Sequence, residues 1–364
     1  MIVKDEELVI ARCLDAVKHI VDEIIIVDTG SIDDTKKIIR GYTNHIYDFQ
    51  WINDFAEARN FSFSKATKDY ILWLDADDVL LEKEQHKLLT LKKELNSNID
   101  AVSMLYHHGC DSNGNPFYIT NRNRLVKRKK NFKWQGKVHE YIKVKGNVMN
   151  SDIIIIHRKE KPQTDRNFKI LQTLVDSKKE LTSNDKFHYA NECMFHQKYN
   201  EAIYLYTSIL DNKENLGEVN IHICGNLGDC YTQLQKWDKA MEAYTNAFQY
   251  GTPRGEICVR IAHIFMAQQK YKEAILWYKT ATKIPIPTKA ILYNPASYTW
   301  IPYLQMCVCY NYLGDHQKAF YYNELAAKYI PNDPKIIHNQ KYFDDILPNK
   351  RHTNSFTNQK PSNY

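Results

Sequence analysis

The chain has 364 residues, enough for two domains each with its own core. Lys and Arg number 49 against 43 Asp and Glu; the net charge of +6 is spread in mixed sequence, without the long basic blocks of a dedicated nucleic-acid binder. No stretch approaches the roughly 20 apolar residues of a membrane span, and the opening run Met1-Ile2-Val3-Lys4-Asp5-Glu6-Glu7 does not read as a secretory signal.

The eight cysteines form no CxxC pair and fall mostly inside apolar helical patterns, where a free thiol acts as a small hydrophobe; this points to a reducing, cytoplasmic setting. In chain order, the apolar spacing predicts a helix over 7–21, a strand over 23–27, and helices over 33–42 and 53–66. The run Ile71-Leu72-Trp73-Leu74 reads as a further strand, ended by Asp75 and Asp77 with Asp78 behind them. Strands alternating with helices argue for a parallel sheet covered by helices, a nucleotide-binding α/β domain. Acids at the carboxyl end of such a strand sit where an open α/β sheet has its ligand crevice, and they suit a divalent cation held against a diphosphate. They equally suit the N-cap of a helix beginning near Val79.

A strand over 101–106 leads into shorter strands and turns, among them Asp111-Ser112-Asn113-Gly114-Asn115, whose Asn-Gly pair signals a hairpin. A strand over 153–156 closes the domain, and Lys161-Pro162-Gln163-Thr164 marks the change to a helical texture. From about Asp165 the pattern repeats: Tyr199-Asn200-Glu201-Ala202, Trp237-Asp238-Lys239-Ala240, Tyr271-Lys272-Glu273-Ala274 and His316-Gln317-Lys318-Ala319. The alanines are 38, 34 and 45 residues apart (240−202, 274−240, 319−274), and the middle spacing is the tetratricopeptide period. Alanine belongs where the two helices of a hairpin approach closely; Gly228 and Gly314 add matching pieces. The long last spacing implies an inserted loop over 284–295, either a plain connection or, with Trp300 and its neighbouring tyrosines, a groove for a partner. Residues 348–364 lack apolar periodicity and read as a flexible tail.

The runs Ile2-Val3-Lys4-Asp5-Glu6-Glu7, Ile26-Val27-Asp28-Thr29-Gly30-Ser31 with Asp33, Trp51-Ile52-Asn53-Asp54-Phe55 with Ala58-Arg59-Asn60, and Leu74-Asp75-Ala76-Asp77 together strongly resemble a family 2 glycosyltransferase of the GT-A fold. With Val138-His139-Glu140 and the repeats, the chain looks like the bacterial group that includes the peptide S-glycosyltransferases modifying glycocin bacteriocins. The resemblance implies an α/β GT-A domain over 1–160 and an all-α tetratricopeptide-like domain over 161–347. Members usually carry more apolar residues before the first motif, so the first strand is expected to be short or the start to lie upstream; Asp5 replaces the usual Asn.

By that resemblance Val3, Lys4, Asp28, Ser31, Arg59, Asp75 and Ala76 bind the nucleotide sugar, and Asp77 with His139 holds Mn²⁺ or Mg²⁺. Asp28 alternatively caps the following helix, Asp54 contacts nucleotide or fixes the Trp51 turn, and a lone histidine such as His139 is often structural. Glu140 is the candidate general base, with Asp111 and Asp78 as rivals; Arg122, Arg124 and Arg128 either support phosphates or are solvated charges. The implied reaction is inverting transfer of a hexose from a UDP-sugar to a peptide or protein Cys, Ser or Thr docked on the repeats; a homodimer is compatible with it. Transfer to a lipid-linked or surface polysaccharide, or a non-catalytic scaffold, are the alternatives.

Overall fold

The computed structural model describes residues 1–347 apart from 113, 163, 178–180, 213–215 and 288–291. The tail read over 348–364, Asn113 of the hairpin signal and part of the inserted loop therefore lie outside the described residues. The rest falls into two compact units, residues 1–251 with 287–294, and residues 252–286 with those from 295 onward.

The first unit begins with β1 (Ile2–Val3), α1 (Ile10–Val17), β2 (Ile26–Asp28), α2 (Thr35–Ile39), β3 (Ile46–Asp48), α3 (Phe55–Ser64) and β4 (Tyr70–Leu72). There follow β5 (Asp78–Val79), α4 (Glu82–Glu94), β6 (Ala101–His108), β7 (Ile119–Lys127), β8 (Trp134–Gln135), β9 (Tyr141–Ile142) and β10 (Val148–His157). Helix α1 shows why the local pattern works: Ile10, Cys13, Leu14 and Val17 recur at helical spacing and all are buried. They cover the core formed by Val3, Ile26, Leu74, Met104, Ile153 and Ile155.

Strands β1, β2 and β3 form a parallel sheet, with Ile2 opposite Val27 and Ile26 opposite Ile46. A second sheet runs β4-β7-β6-β10-β5, and within it β10 and β6 are parallel while the other pairs are antiparallel. The expected parallel sheet is thus only part of the answer. The β6–β7 hairpin, whose loop carries Gly114 at φ +82°, makes the second sheet mixed. A second correction concerns the acids: Asp78 and Val79 form a short strand opposite β10, and the next helix starts at Glu82, so the acids do not cap it.

Helices α5 (Arg166–Asp176), α6 (Ser183–Phe195), α7 (Tyr199–Asp211), α8 (Glu218–Gln233) and α9 (Trp237–Asn246) complete the first unit. Their core includes Val138 from the α/β part together with Ile170, Leu171, Tyr189 and Tyr206, and Trp51 and Phe55 pack against it. The second unit contains α10 (Gly255–Ala267), α11 (Tyr271–Lys283), α12 (Trp300–Tyr312), α13 (His316–Ala327) and α14 (Pro334–Ile346). The four repeat alanines, Ala202, Ala240, Ala274 and Ala319, are fully buried on α7, α9, α11 and α13, as close helix approach requires. Gly228 serves the same end: a Cβ there would lie 2.2 Å from the Tyr244 ring of α9. Trp300 packs against the Leu304, Ala326 and Ile330 cluster, and Tyr293, at the end of the inserted loop, bridges to Ile119.

Candidate active site

The chain leaves β4 through Trp73, whose N–H donates to the Arg124 carbonyl at 3.1 Å, and then turns sharply. The turn is closed twice: the Asp78 N–H donates to the Asp75 carbonyl at 3.1 Å, and the Asp75 N–H donates to Asp78 Oδ2 at 2.9 Å. Asp78 is fully buried, and it also accepts from Tyr106 Oη at 2.9 Å and lies 3.0 Å from Arg124 Nη1. It is therefore a brace, which removes it as a rival base. Arg124, 0% exposed, lies 3.8 Å from the Trp73 ring and 4.3 Å from the Tyr106 ring, so it is no solvated charge.

Asp75 and Asp77 stay half-exposed at the turn and line a cavity of about 520 Å³ together with Val3, Lys4, Thr29, Arg59, Ala76 and His157. Arg59 donates from Nη2 to Asp75 at 2.7 Å and from Nε to Glu140 at 2.5 Å, and its guanidinium lies 5.0 Å from the Trp73 ring and 4.8 Å from the Trp134 ring, which are in edge contact with each other. Burial disfavours the charge on Asp75, but Arg59 and Arg124 outweigh it and hold the carboxyl below the usual range. Glu140 rests on Arg59 and is not among the residues lining the cavity.

The sequence reading did not include His157, which ends β10 where β10 pairs with β5, so that its Nδ1 comes within 3.3 Å of Asp77 Oδ1. Burial alone lowers its basicity, yet Asp77 and Asp78 raise the imidazole pKa to about 10. Asp77, Asp78 and His157 each offer a ligand atom within 4.8 Å of the others, and two carboxylates with an imidazole suit a Mn²⁺- or Mg²⁺-like ion. The geometry does not bring His139 to that group: its Nε2 is 3.5 Å from Glu192, and its ring stacks on His188 at 4.2 Å. In the sequence His157 follows the isoleucine run 153–156 much as Asp75 follows the apolar run 71–74, but only the pairing of β10 with β5 sets it beside Asp77.

Of the remaining residues, Asp28 and Ser31 are not among those lining the cavity. Asp28, 1% exposed, accepts from the Gly30 and Ser31 amides at 2.9 Å through Oδ1, while its buried Oδ2 has no hydrogen-bond partner among the described residues. Ser31 Oγ accepts from the Asp5 N–H at 2.9 Å, and Asp5 Oδ1 accepts from the Ile32 N–H at 2.7 Å. Asp5 has φ +54°, which Asp and Asn tolerate better than most residues, so the exchange for Asn preserves the turn. Asp54 caps α3 by accepting from Glu57, Asp111 accepts from Asn115 within its turn, and Arg128 donates to the Lys68 carbonyl.

The fold and these side chains define an α/β ligand-binding domain with an acid-lined crevice at its strand ends. Residues 1–160 match the model of Glycosyl transferase family 2, and residues 223–248 and 255–285 match tetratricopeptide repeats. The chain thus carries a family 2 glycosyl transferase domain followed by tetratricopeptide repeats. It is 41% identical over 105 residues to a TPR repeat-containing protein of Synechococcus elongatus, covering 29% of this chain and 24% of that protein. It is 33% identical over 144 residues to the SPbeta prophage-derived glycosyltransferase SunS of Bacillus subtilis, covering 38% and 33% of the two chains. To an uncharacterized glycosyltransferase of Rickettsia typhi it is 34% identical over 88 residues, covering 24% and 30%. The chain thus spans 24 to 33% of the length of these relatives. No described helix is long and apolar enough to cross a membrane.

Proposed function

We propose that the protein is an inverting glycosyltransferase that moves a hexose from a UDP-sugar to a Cys, Ser or Thr side chain of a peptide or protein. The observation that carries this reading is Asp77 beside His157 at the edge of a cavity that also holds Asp75 and Arg59. Asp77 and His157 would hold a divalent ion, with Asp78 behind them. Such an ion supplies charge neutralisation at a diphosphate leaving group. The orphan Asp28 Oδ2 is an acceptor suited to the uracil N3–H, and Val3, Lys4 and Ser31 belong to the same nucleotide-binding edge. Arg59 offers a planar fork to phosphate oxygens. When a diphosphate competes for that fork, Glu140 is released from its ion pair and takes the proton of the attacking acceptor. The helical repeats offer the surface on which a peptide acceptor docks.

The test is release of UDP from UDP-glucose in Mn²⁺, with intact-mass analysis of candidate peptides. The wild type turns over, Asp77→Ala loses about a hundredfold or more, and His157→Ala needs about tenfold more Mn²⁺ for half-maximal rate. Equal turnover by wild type and Asp77→Ala, with or without EDTA, defeats the metal assignment.

A further inference from the structure

Arg166 stands outside the 160 residues matched to the transferase family, yet it lines the same cavity as Asp75, Asp77 and Arg59. Its guanidinium lies 4.7 Å from the Phe55 ring centroid, and Phe55 is itself in edge contact with Trp51 at 4.8 Å. The arginine is exposed but held over an aromatic platform rather than left to wander.

The other guanidinium and one of the ammonium groups at this cavity already have carboxylate partners. Arg59 is paired with both Asp75 and Glu140, and Lys161 with Glu6 at 3.0 Å. Arg166 has no carboxylate within 4 Å among the described residues. As the first residue of α5, it gains nothing from the helix dipole either, which favours anions at that end. Beyond the Phe55 ring and the longer-range attraction of Glu140 and Glu6, nothing in the fold accounts for this charge, whereas a planar, permanently charged fork at a ligand cavity matches a phosphate.

We infer that Arg166 is a donor-binding residue whose guanidinium contacts the diphosphate of the sugar nucleotide. This rests on the donor reading above and adds that the helix following the transferase domain supplies part of the nucleotide site. The transferase domain without α5 would then bind its donor incompletely.

The experiment is calorimetric titration of the full chain with UDP and with uridine, both in Mn²⁺. In Arg166→Ala the UDP dissociation constant rises about tenfold, the loss of one charge-assisted contact, while uridine binding is unchanged. Arg166→Lys, which keeps charge without the fork, falls between the two. Lys169→Ala, an exposed neighbour on α5 that does not line the cavity, binds UDP as the wild type does. Wild-type UDP affinity in Arg166→Ala overturns the inference alone; so does an equal loss for UDP and uridine, which marks a structural effect. A wild-type protein that binds no UDP overturns the donor reading itself.

Discussion

Arg124 and Asp78 form a fully buried ion pair, 3.0 Å apart with both side chains 1% exposed. The pair fixes the turn whose tip presents Asp77. Burying two charges is costly, so such a pair adds little net stability, but removing one partner strands the other. Arg124→Met should therefore destabilise the protein by about 3–5 kcal/mol. The readout is the urea midpoint by tryptophan fluorescence, since the Arg124 guanidinium lies over the Trp73 ring. An unchanged midpoint would mean that the turn holds without its brace.

How much of this was legible in the sequence depends on distance along the chain. Asp75 and Asp77 announce themselves because the strand and the acids are adjacent. The repeat alanines are visible because a helical hairpin is a local unit. Arg124 and His157 were harder. Alternate arginines at 122 and 124 read equally as phosphate contacts or as solvated strand charges, and it is Trp73, Tyr106 and Asp78, brought in from other parts of the chain, that enclose the second. His157 acquires meaning only through the pairing of β10 with β5, which no local pattern specifies. Glu140 was visible as an acid, but its contact with Arg59 of α3 was not.

The Asp28 carboxyl gives a pH dependence of known sign. Burial raises its pKa, but the Ser31 hydroxyl, the Ser31 and Gly30 amides and Lys36 prevail, so the folded value lies below the ordinary one. A depressed acid contributes stability that is present above the unfolded pKa, about 3.9, and is lost as pH falls through the folded value. Asp28→Asn keeps an acceptor for both amides and removes the charge. Its melting temperature should be below that of the wild type by a constant margin between pH 5 and 7, and the margin should close below about pH 4. A margin independent of pH would remove the electrostatic explanation.

The repeat turns carry a cost that the sequence pattern conceals. Gln197, Gln235 and Gln269 have φ of +59°, +56° and +60°, and Gly314 has φ +77°; each stands two residues before its second helix begins at Tyr199, Trp237, Tyr271 or His316. This is the left-handed position that ends a helix, which glycine occupies without a Cβ penalty and glutamine does not. The last hairpin uses the residue the geometry asks for, and the other three do not. Gln269 is exposed, and its N–H donates to the Met266 carbonyl at 2.9 Å, a bond that glycine retains. Gln269→Gly should therefore stabilise the second unit by about 1 kcal/mol, the left-handed strain relieved less the extra backbone entropy of glycine. Differential scanning calorimetry of the full chain would show the corresponding transition moving to higher temperature. The reverse change in the last hairpin, Gly314→Gln, should lower it by a similar amount, and shifts of the opposite sign in both variants would refute the account.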